Sequence, residues 1–252
     1  MKLLWMCGAS LSPFERRVVA QFDDGPHTIV GALIDARPRP SSLTRLKHHL
    51  QRGRGLYVAV MMAQQMMAPQ DGLDAAELFQ SRHIPALPLN HPYAPETIEA
   101  LKDRFPEARL MVRSGGFGIV KTPLLSLCPE GILSYHHGDM RRYRGQPPGF
   151  WELYHGEKKM GVTVQRLEAG LDCGRPLVEQ AVQIEPTDTL EILTERFLHQ
   201  SIPMMRQAVD DLENSQNLPP PPNQLGKIYT HPNFRQWLTL QMRLAWRRMR
   251  RS

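Results

Sequence analysis

Ser134-Tyr135-His136-His137-Gly138-Asp139 closes the apolar run Ile132–His136, and the reading of that stretch decides the fold. An apolar segment that runs into a histidine and then a Gly-Asp turn reads as a buried strand with polar groups at its carboxyl end. Working outward, similar segments recur at Leu3–Cys7, Thr28–Ile34, His83–Leu89, Leu110–Val112, Val162–Leu167 and Leu177–Ile184. Helical periodicity lies between them, at Pro13–Gln21, Ser42–Gln51, Gly55–Met67, Pro95–Arg104, Pro123–Leu127 and Pro148–His155. Strands alternating with helices predict an α/β protein with a doubly wound, mostly parallel sheet covered on both faces. Such sheets bind ligands at the carboxyl ends of their strands, where Ser134-Tyr135-His136 begins.

The 252 residues suffice for one large domain with an appendage, and a hydrophobic content of 41% excludes a disordered chain. No apolar run approaches the length of a membrane-spanning helix. Met1–Cys7 reads as a first buried strand rather than a signal peptide. Cys7, Cys128 and Cys173 are too widely spaced for a disulfide framework or a zinc motif. These features predict a cytoplasmic protein without a metal. Gly8-Ala9-Ser10 follows the first strand but lacks a dinucleotide-binding fingerprint, so no nicotinamide cofactor is inferred.

Charge is uneven. Residues 225–252 carry seven of the cations and no acid, so the remainder of a chain of net charge +6 sums to about −1. A second basic cluster spans Arg37 to Arg54. Residues 1–213 are expected to form one domain, with 187–213 as one long helix capped by Thr187 or Asp188 and kinked or interrupted at Pro203. Residues 214–224, with Pro219 through Pro222, form a stiff linker. Residues 225–252 hold a basic amphipathic helix, about Asn233 to Arg250. Its arginines Arg243, Arg247 and Arg250 lie on one side, and Phe234, Trp237, Leu238, Met242 and Met249 lie mostly on the other. Docking on the body of the protein is the default for this helix. Peripheral contact with an anionic membrane also suits its composition.

His136 and Asp172 lie 36 residues apart, the aspartate in the turn Gly170-Leu171-Asp172-Cys173-Gly174. Together they suit acyl transfer onto an amine. The attacking amine must lose a proton, the leaving nitrogen must gain one, and the tetrahedral oxyanion needs a donor. A histidine serves both proton steps near neutral pH, and a carboxylate orients and stabilises its charged form. Ser134 shares a strand face with His136, so its hydroxyl is a third candidate. Cys173 is read as structural.

The segment from Gly115 to Glu179 resembles the folate-dependent formyltransferases. The resemblance rests on Phe117-Gly118-Ile119-Val120, Ser134-Tyr135-His136, Arg144-Gly145, Gly161-Val162-Thr163 and Leu171-Asp172-Cys173-Gly174, in the family's order. It implies a formyltransferase-like Rossmann fold and N10-formyltetrahydrofolate as formyl donor. It also implies catalytic roles for His136, Asp172 and Ser134, the last standing where the family has asparagine. By the same resemblance Phe117, Gly118, Ile119, Val120, Leu167, Gly170 and Leu171 would hold the folate, and Ser10 would contact the acceptor. His137 and Asp139, with Arg144, add polar groups on the acceptor side. A one-residue slip would put His137 in the place of His136.

The expected partner is a small amine acceptor. Arg141, Arg142 and Arg144 suit a phosphate-bearing one, such as an amino sugar on a nucleotide. Nucleic acid is the less favoured partner, and the oligomeric state is open. Two alternatives remain: a hydrolase that releases formate from the same donor, and a non-catalytic homologue that binds folate or an anionic surface.

Overall fold

In the computed structural model, the structure describes residues 1–38, 71–214 and 219–249, with positions 44, 47, 50, 51 and 58. The helices expected at 42–51 and 55–67 fall largely outside the described residues.

A central sheet of seven strands forms the middle layer. In chain order they are β1 (Lys2–Gly8), β3 (Thr28–Asp35), β5 (Ala86–Leu89), β6 (Leu110–Arg113), β7 (Ile132–His136), β9 (Lys159–Arg166) and β10 (Arg175–Gln183). Their spatial order is β10-β9-β7-β6-β1-β3-β5. The strands from β7 to β5 pair in parallel, and β9 runs antiparallel to both β7 and β10. The chain works outward from β1 through β3 to β5, then returns to β6 on the other side of β1. That reversal opens a crevice at the carboxyl ends of β1 and β6, where ligands of doubly wound sheets bind.

Both faces of the sheet are covered, and strand alternation sorts the core into two clusters. On β1, Leu3, Trp5 and Cys7 join one cluster, with Val18, Phe79, Phe150, Phe197 and Val209. Leu4 and Met6 join the other, with Ile98, Leu101, Phe105, Phe117 and Leu124. A strand buried on both faces reads as a continuous apolar run, which is why Leu3–Cys7 was legible.

The covering helices start where local chemistry allows. In α1 (Pro13–Ala20), Ser12 and Glu15 form a reciprocal capping box and Pro13 fills the first turn. Helix α2 (Ala75–Ser81), capped by Asp74, was not expected from the sequence, although Asp74 and Glu77 carry an N-terminal signature. It shortens the expected strand 83–89 to β5, because His83 takes a left-handed conformation at the helix end. Helices α3 (Pro95–Arg104) and α4 (Phe150–His155) match expectation, whereas Pro123–Leu127 yields only a short 3-10 turn at Leu124–Ser126.

The long helix expected at 187–213 is two helices, α5 (Leu190–Ser201) and α6 (Met204–Asn214). Pro203 lacks the N–H that would continue the ladder, so the helix breaks rather than bends. Thr189 caps α5, accepting from the Ile192 N–H at 3.2 Å. Asp188 is instead buried against Arg196.

After the proline-rich segment the chain returns to the body. β11 (Lys227–Tyr229) pairs in parallel with β8 (Tyr143–Gly145), and α7 (Phe234–Met249) lies against α4. The docked stripe differs from the one expected. Leu240 and Leu244 are buried and Trp237 is half-buried, while Leu238, Met242 and Met249 are exposed. The spacing of positions 237, 240 and 244 defines that stripe. Arg243 turns to the body, donating to the Tyr154 carbonyl and lying over its ring. A second short pair, β2 (Ser10–Leu11) with β4 (Leu73–Asp74), sits beside α1 and α2. No described helix is long and apolar enough to cross a membrane.

Truncating Leu240 to alanine should therefore cost about 2–4 kcal/mol in urea denaturation. Met242→Ala, at 57% exposure, should change stability by no more than about 0.5 kcal/mol. Equal effects would contradict this docking.

Candidate active site

His136 is the last residue of β7 and is 6% exposed. Its Nε2 lies 2.8 Å from the Tyr143 carbonyl oxygen, which only accepts, so Nε2 carries a proton. The neutral ring then presents the Nδ1 lone pair to the Asp172 carboxylate, 3.5 Å from Oδ1. That separation is long for a hydrogen bond, and the contact becomes an ion pair once Nδ1 takes a proton. Burial opposes the charged imidazole, but Asp172 and the Tyr143 carbonyl outweigh it and raise the His136 pKa. Burial likewise works against the Asp172 carboxylate, and His136 and the Gly145 N–H outweigh it and lower its pKa. The two shifts agree in favouring a charged pair.

Local structure holds that geometry. Asp172 has φ +46, a left-handed conformation that aspartate tolerates in turns. Its Oδ2 accepts from the Gly145 N–H at 2.8 Å. Gly145 has φ +93 and lies so close to the Tyr229 carbonyl of β11 that a side chain would collide with it. Gly138 is needed for a similar reason: a Cβ there would sit 2.7 Å from His136 Nε2. Behind the turn, buried Gln165 accepts from the Gly174 N–H at 3.0 Å. Cys173 Sγ donates to the Ala169 carbonyl at 3.2 Å, a contact within the turn.

The expected site residues separate by location. Ser134 is 2% exposed and sits beside His136 on the same strand face. His137 points the other way, among the rings of Phe14, Tyr135 and Phe197, and its Nε2 is buried with no hydrogen-bond partner among the described residues. Burial and the neighbouring His136 push its pKa down to about 3, so it is neutral. One step along a strand reverses the face, which is why adjacent histidines differ so sharply. Arg144 is committed to backbone: Nε donates to Gly226 O at 2.8 Å and Nη1 to Leu171 O at 3.2 Å. Asp139 lies with Arg141, Arg142, Lys159 and Glu179 along an open groove of about 480 Å³. Arg141 is paired there with Glu179 and Arg142 with Glu157. Ser10 is exposed on β2.

Of the expected folate contacts, Phe117 and Val120 are buried with half-buried Leu167 packed against their cluster, while Ile119 and Leu171 project outward at 52% and 37% exposure. Phe117 and Gly118 both have φ +58, and the Phe117 N–H donates to Asp35 Oδ2 at 2.6 Å. Gly170 opens the Asp172 turn with φ +124.

Sequence reading missed two charged groups. Glu152, on α4, is 2% exposed and shares a tight cavity of about 10 Å³ with His136, Tyr143, Trp151 and Tyr229. Burial pushes its carboxyl up to about 7. A single acid within Phe150-Trp151-Glu152-Leu153-Tyr154 was its signal. Arg113 ends β6 in register with Ser134 and donates to the Ser134 hydroxyl at 3.1 Å. A lone arginine closing an apolar strand was the available clue. Among the described residues, no group of three or more His, Cys, Asp or Glu side chains is placed to hold a metal.

A sequence model for the family described as formyl transferase matches residues 62–209, more than half of the chain, which therefore belongs to that family. The methionyl-tRNA formyltransferase of Thermodesulfovibrio yellowstonii is 27% identical over 76% of this chain and 62% of its own length. That of Anaeromyxobacter dehalogenans is 36% identical over 39% of this chain and 31% of its own. The chain thus spans less than two thirds of these relatives. Solved structures share the fold. An N-formyltransferase from Helicobacter canadensis, solved with folinic acid and dTDP-3-aminofucose, has a TM-score of 0.63 at 13% identity, covering 97% of this chain and 80% of that one. A glycinamide ribonucleotide transformylase from Symbiobacterium toebii has a TM-score of 0.60 at 18% identity, covering 90% and 94%.

The buried Glu152 should be visible in stability. Its folded pKa exceeds the unfolded value of 4.5, so between about 4.5 and about 7 the native state holds the extra proton. Stability should fall as pH rises through that window, by on the order of 3 kcal/mol. His136, also raised, adds a decline of the same sign above 6.5. Urea midpoints measured against pH should lose the Glu152 part of this slope in Glu152→Gln. An unchanged slope would show that Glu152 is not the group responsible.

Proposed function

We propose that this protein transfers a formyl group from N10-formyltetrahydrofolate to the amine of a small acceptor. The observation that carries this reading is the His136–Asp172 pair at the carboxyl end of β7, with Nε2 tied to the Tyr143 carbonyl and Nδ1 left facing Asp172.

The acceptor nitrogen attacks the formyl carbon, and the carbonyl becomes an oxyanion. The amine proton passes to Nδ1, where the carboxylate stabilises the imidazolium that forms. Collapse re-forms the carbonyl and breaks the bond to N10 of the folate. N10 takes a proton back, so tetrahydrofolate and a formamide leave with no net change at the histidine. Exposed Ile119 and Leu171 offer apolar contacts suited to the flat pterin. The groove beside Arg141, Arg142 and Lys159 suits a polar acceptor. A sugar amine carried on a nucleotide fits it, in keeping with the dTDP-3-aminofucose bound by the Helicobacter canadensis enzyme. The glutamate partners of Arg141 and Arg142 make that recognition one of exchange, an acceptor phosphate replacing a carboxylate.

Tetrahydrofolate release from N10-formyltetrahydrofolate, scanned over pooled amines including nucleotide-linked amino sugars, tests the reading. Release is expected to require an amine, and to fall by about 10²–10⁴-fold in His136→Ala. Release without an amine would instead establish a hydrolase. Folate binding without turnover under any acceptor would count against catalysis.

A further inference from the structure

The Ser134 hydroxyl is held by a donor on one side and has only a long contact for its own proton. It accepts from Arg113 Nη1 at 3.1 Å, its own proton points to the Tyr135 carbonyl at 3.4 Å, and it is 2% exposed. The group lying over it is the Arg113 guanidinium. That fork also clasps the Gly116 carbonyl, through Nε at 3.1 Å and Nη2 at 2.8 Å. Three of its five N–H bonds are thereby committed, and one on each terminal nitrogen remains.

Arg113 is also an unpaired charge. Among the described residues no carboxylate lies within ion-pair distance of it, and burial works against its charged form. Asp172, Asp35 and Glu15 surround it farther out, and each is occupied. Asp172 holds His136 and the Gly145 N–H, Asp35 holds Arg37 and the Phe117 N–H, and Glu15 closes the α1 capping box. A half-buried cation without an ion-pair partner is stabilised when negative charge arrives to meet it. The proposed transfer creates one, the oxyanion at the formyl carbon, next to the His136–Asp172 pair.

We propose that Arg113, rather than Ser134, presents the N–H donors that hold the oxygen of the transferred carbonyl, and that Ser134 is the residue positioning the guanidinium. The assignment rests on the formyl-transfer reading. Arg113 stays protonated throughout. It gives up no proton and only strengthens its hydrogen bonds as the oxygen gains charge.

The test is kcat and KM for the donor in Arg113→Met, Arg113→Lys, Ser134→Ala and Ser134→Thr, with thermal unfolding of each. Arg113→Met is expected to lower kcat by about 100-fold or more while moving KM by no more than about 3-fold. Ser134→Ala should lose about 10-fold or less, and Ser134→Thr, which keeps the hydroxyl, should recover most of that. A Ser134→Ala loss equal to or larger than that of Arg113→Met, or an Arg113→Met variant that is folded and active, would overturn the assignment. If Arg113→Met does not fold, Arg113→Lys must still lose more kcat than Ser134→Ala for it to stand. Wild-type protein that releases no tetrahydrofolate with any acceptor would instead remove the formyl-transfer reading, and the Arg113 assignment with it.

Discussion

The hydrogen bond from the Gly145 N–H to Asp172 Oδ2, 2.8 Å long, is the contact on which the site depends. It joins two segments that no strand pairing connects directly, the loop after β7 and the turn between β9 and β10. Asp172 is left-handed, and an exposed turn would not hold that conformation firmly. Anchoring Oδ2 leaves Oδ1 to face His136. Arg144 adds a second tie through the Leu171 carbonyl, and a third through Gly226, which brings the returning C-terminal segment into the same knot. The approach of β11 to Gly145 means that the segment after the proline-rich stretch forms part of the wall of the site. Trp151 fastens it further, donating to the Thr230 carbonyl at 3.2 Å.

Four ionisable groups are graded around that knot. His136 and Asp172 favour the charged pair, because each other's charge, with the Tyr143 carbonyl on one side and the Gly145 N–H on the other, together outweighs burial. Glu152 favours the neutral acid, because burial outweighs the pull of His136. Arg113 cannot shed its proton, so it keeps a charge that, among the described residues, Asp172, Asp35 and Glu15 favour only from beyond ion-pair distance. The result is an interior with a fixed positive end at β6 and a mobile proton at β7. Acyl transfer makes the complementary demand, for negative charge on one atom and a proton moving at the next.

Much of the fold was legible because buried parallel strands write themselves as apolar runs. Leu3–Cys7 and Ile132–His136 needed only their composition, and Ser12, Pro13 and Glu15 marked a helix start. His136 and Asp172 were legible because a strand end and a Gly-flanked turn are local patterns. Pro203 marked a kink or an interruption, and the structure has the interruption: periodicity continues across it, but the proline lacks the N–H to carry the ladder on. The docked stripe of α7 was misjudged because apolar residues occur on both sides of that helix. Burial of Leu240 and exposure of Met242 follow from where α4 lies, which no local pattern encodes.

What stayed hidden shares one cause: it depends on contacts between segments distant in sequence. Arg144 reads as a free cation beside the site, and becomes a backbone tie only when Gly226 arrives from 82 residues away. Arg141 and Arg142 likewise read as acceptor contacts until Glu179 and Glu157 are placed against them. Arg113 is the opposite case. As a lone charge at the end of an apolar strand it looks like a strand terminator, yet folding leaves it half-buried beside Ser134, with no carboxylate at ion-pair distance among the described residues and two N–H bonds uncommitted. The sequence abounds in positive charge, and folding neutralises most of it near the site. An anion arriving at Arg141 or Arg142 must first displace a glutamate, whereas negative charge developing beside β6 and β7 would find the two open N–H bonds of Arg113.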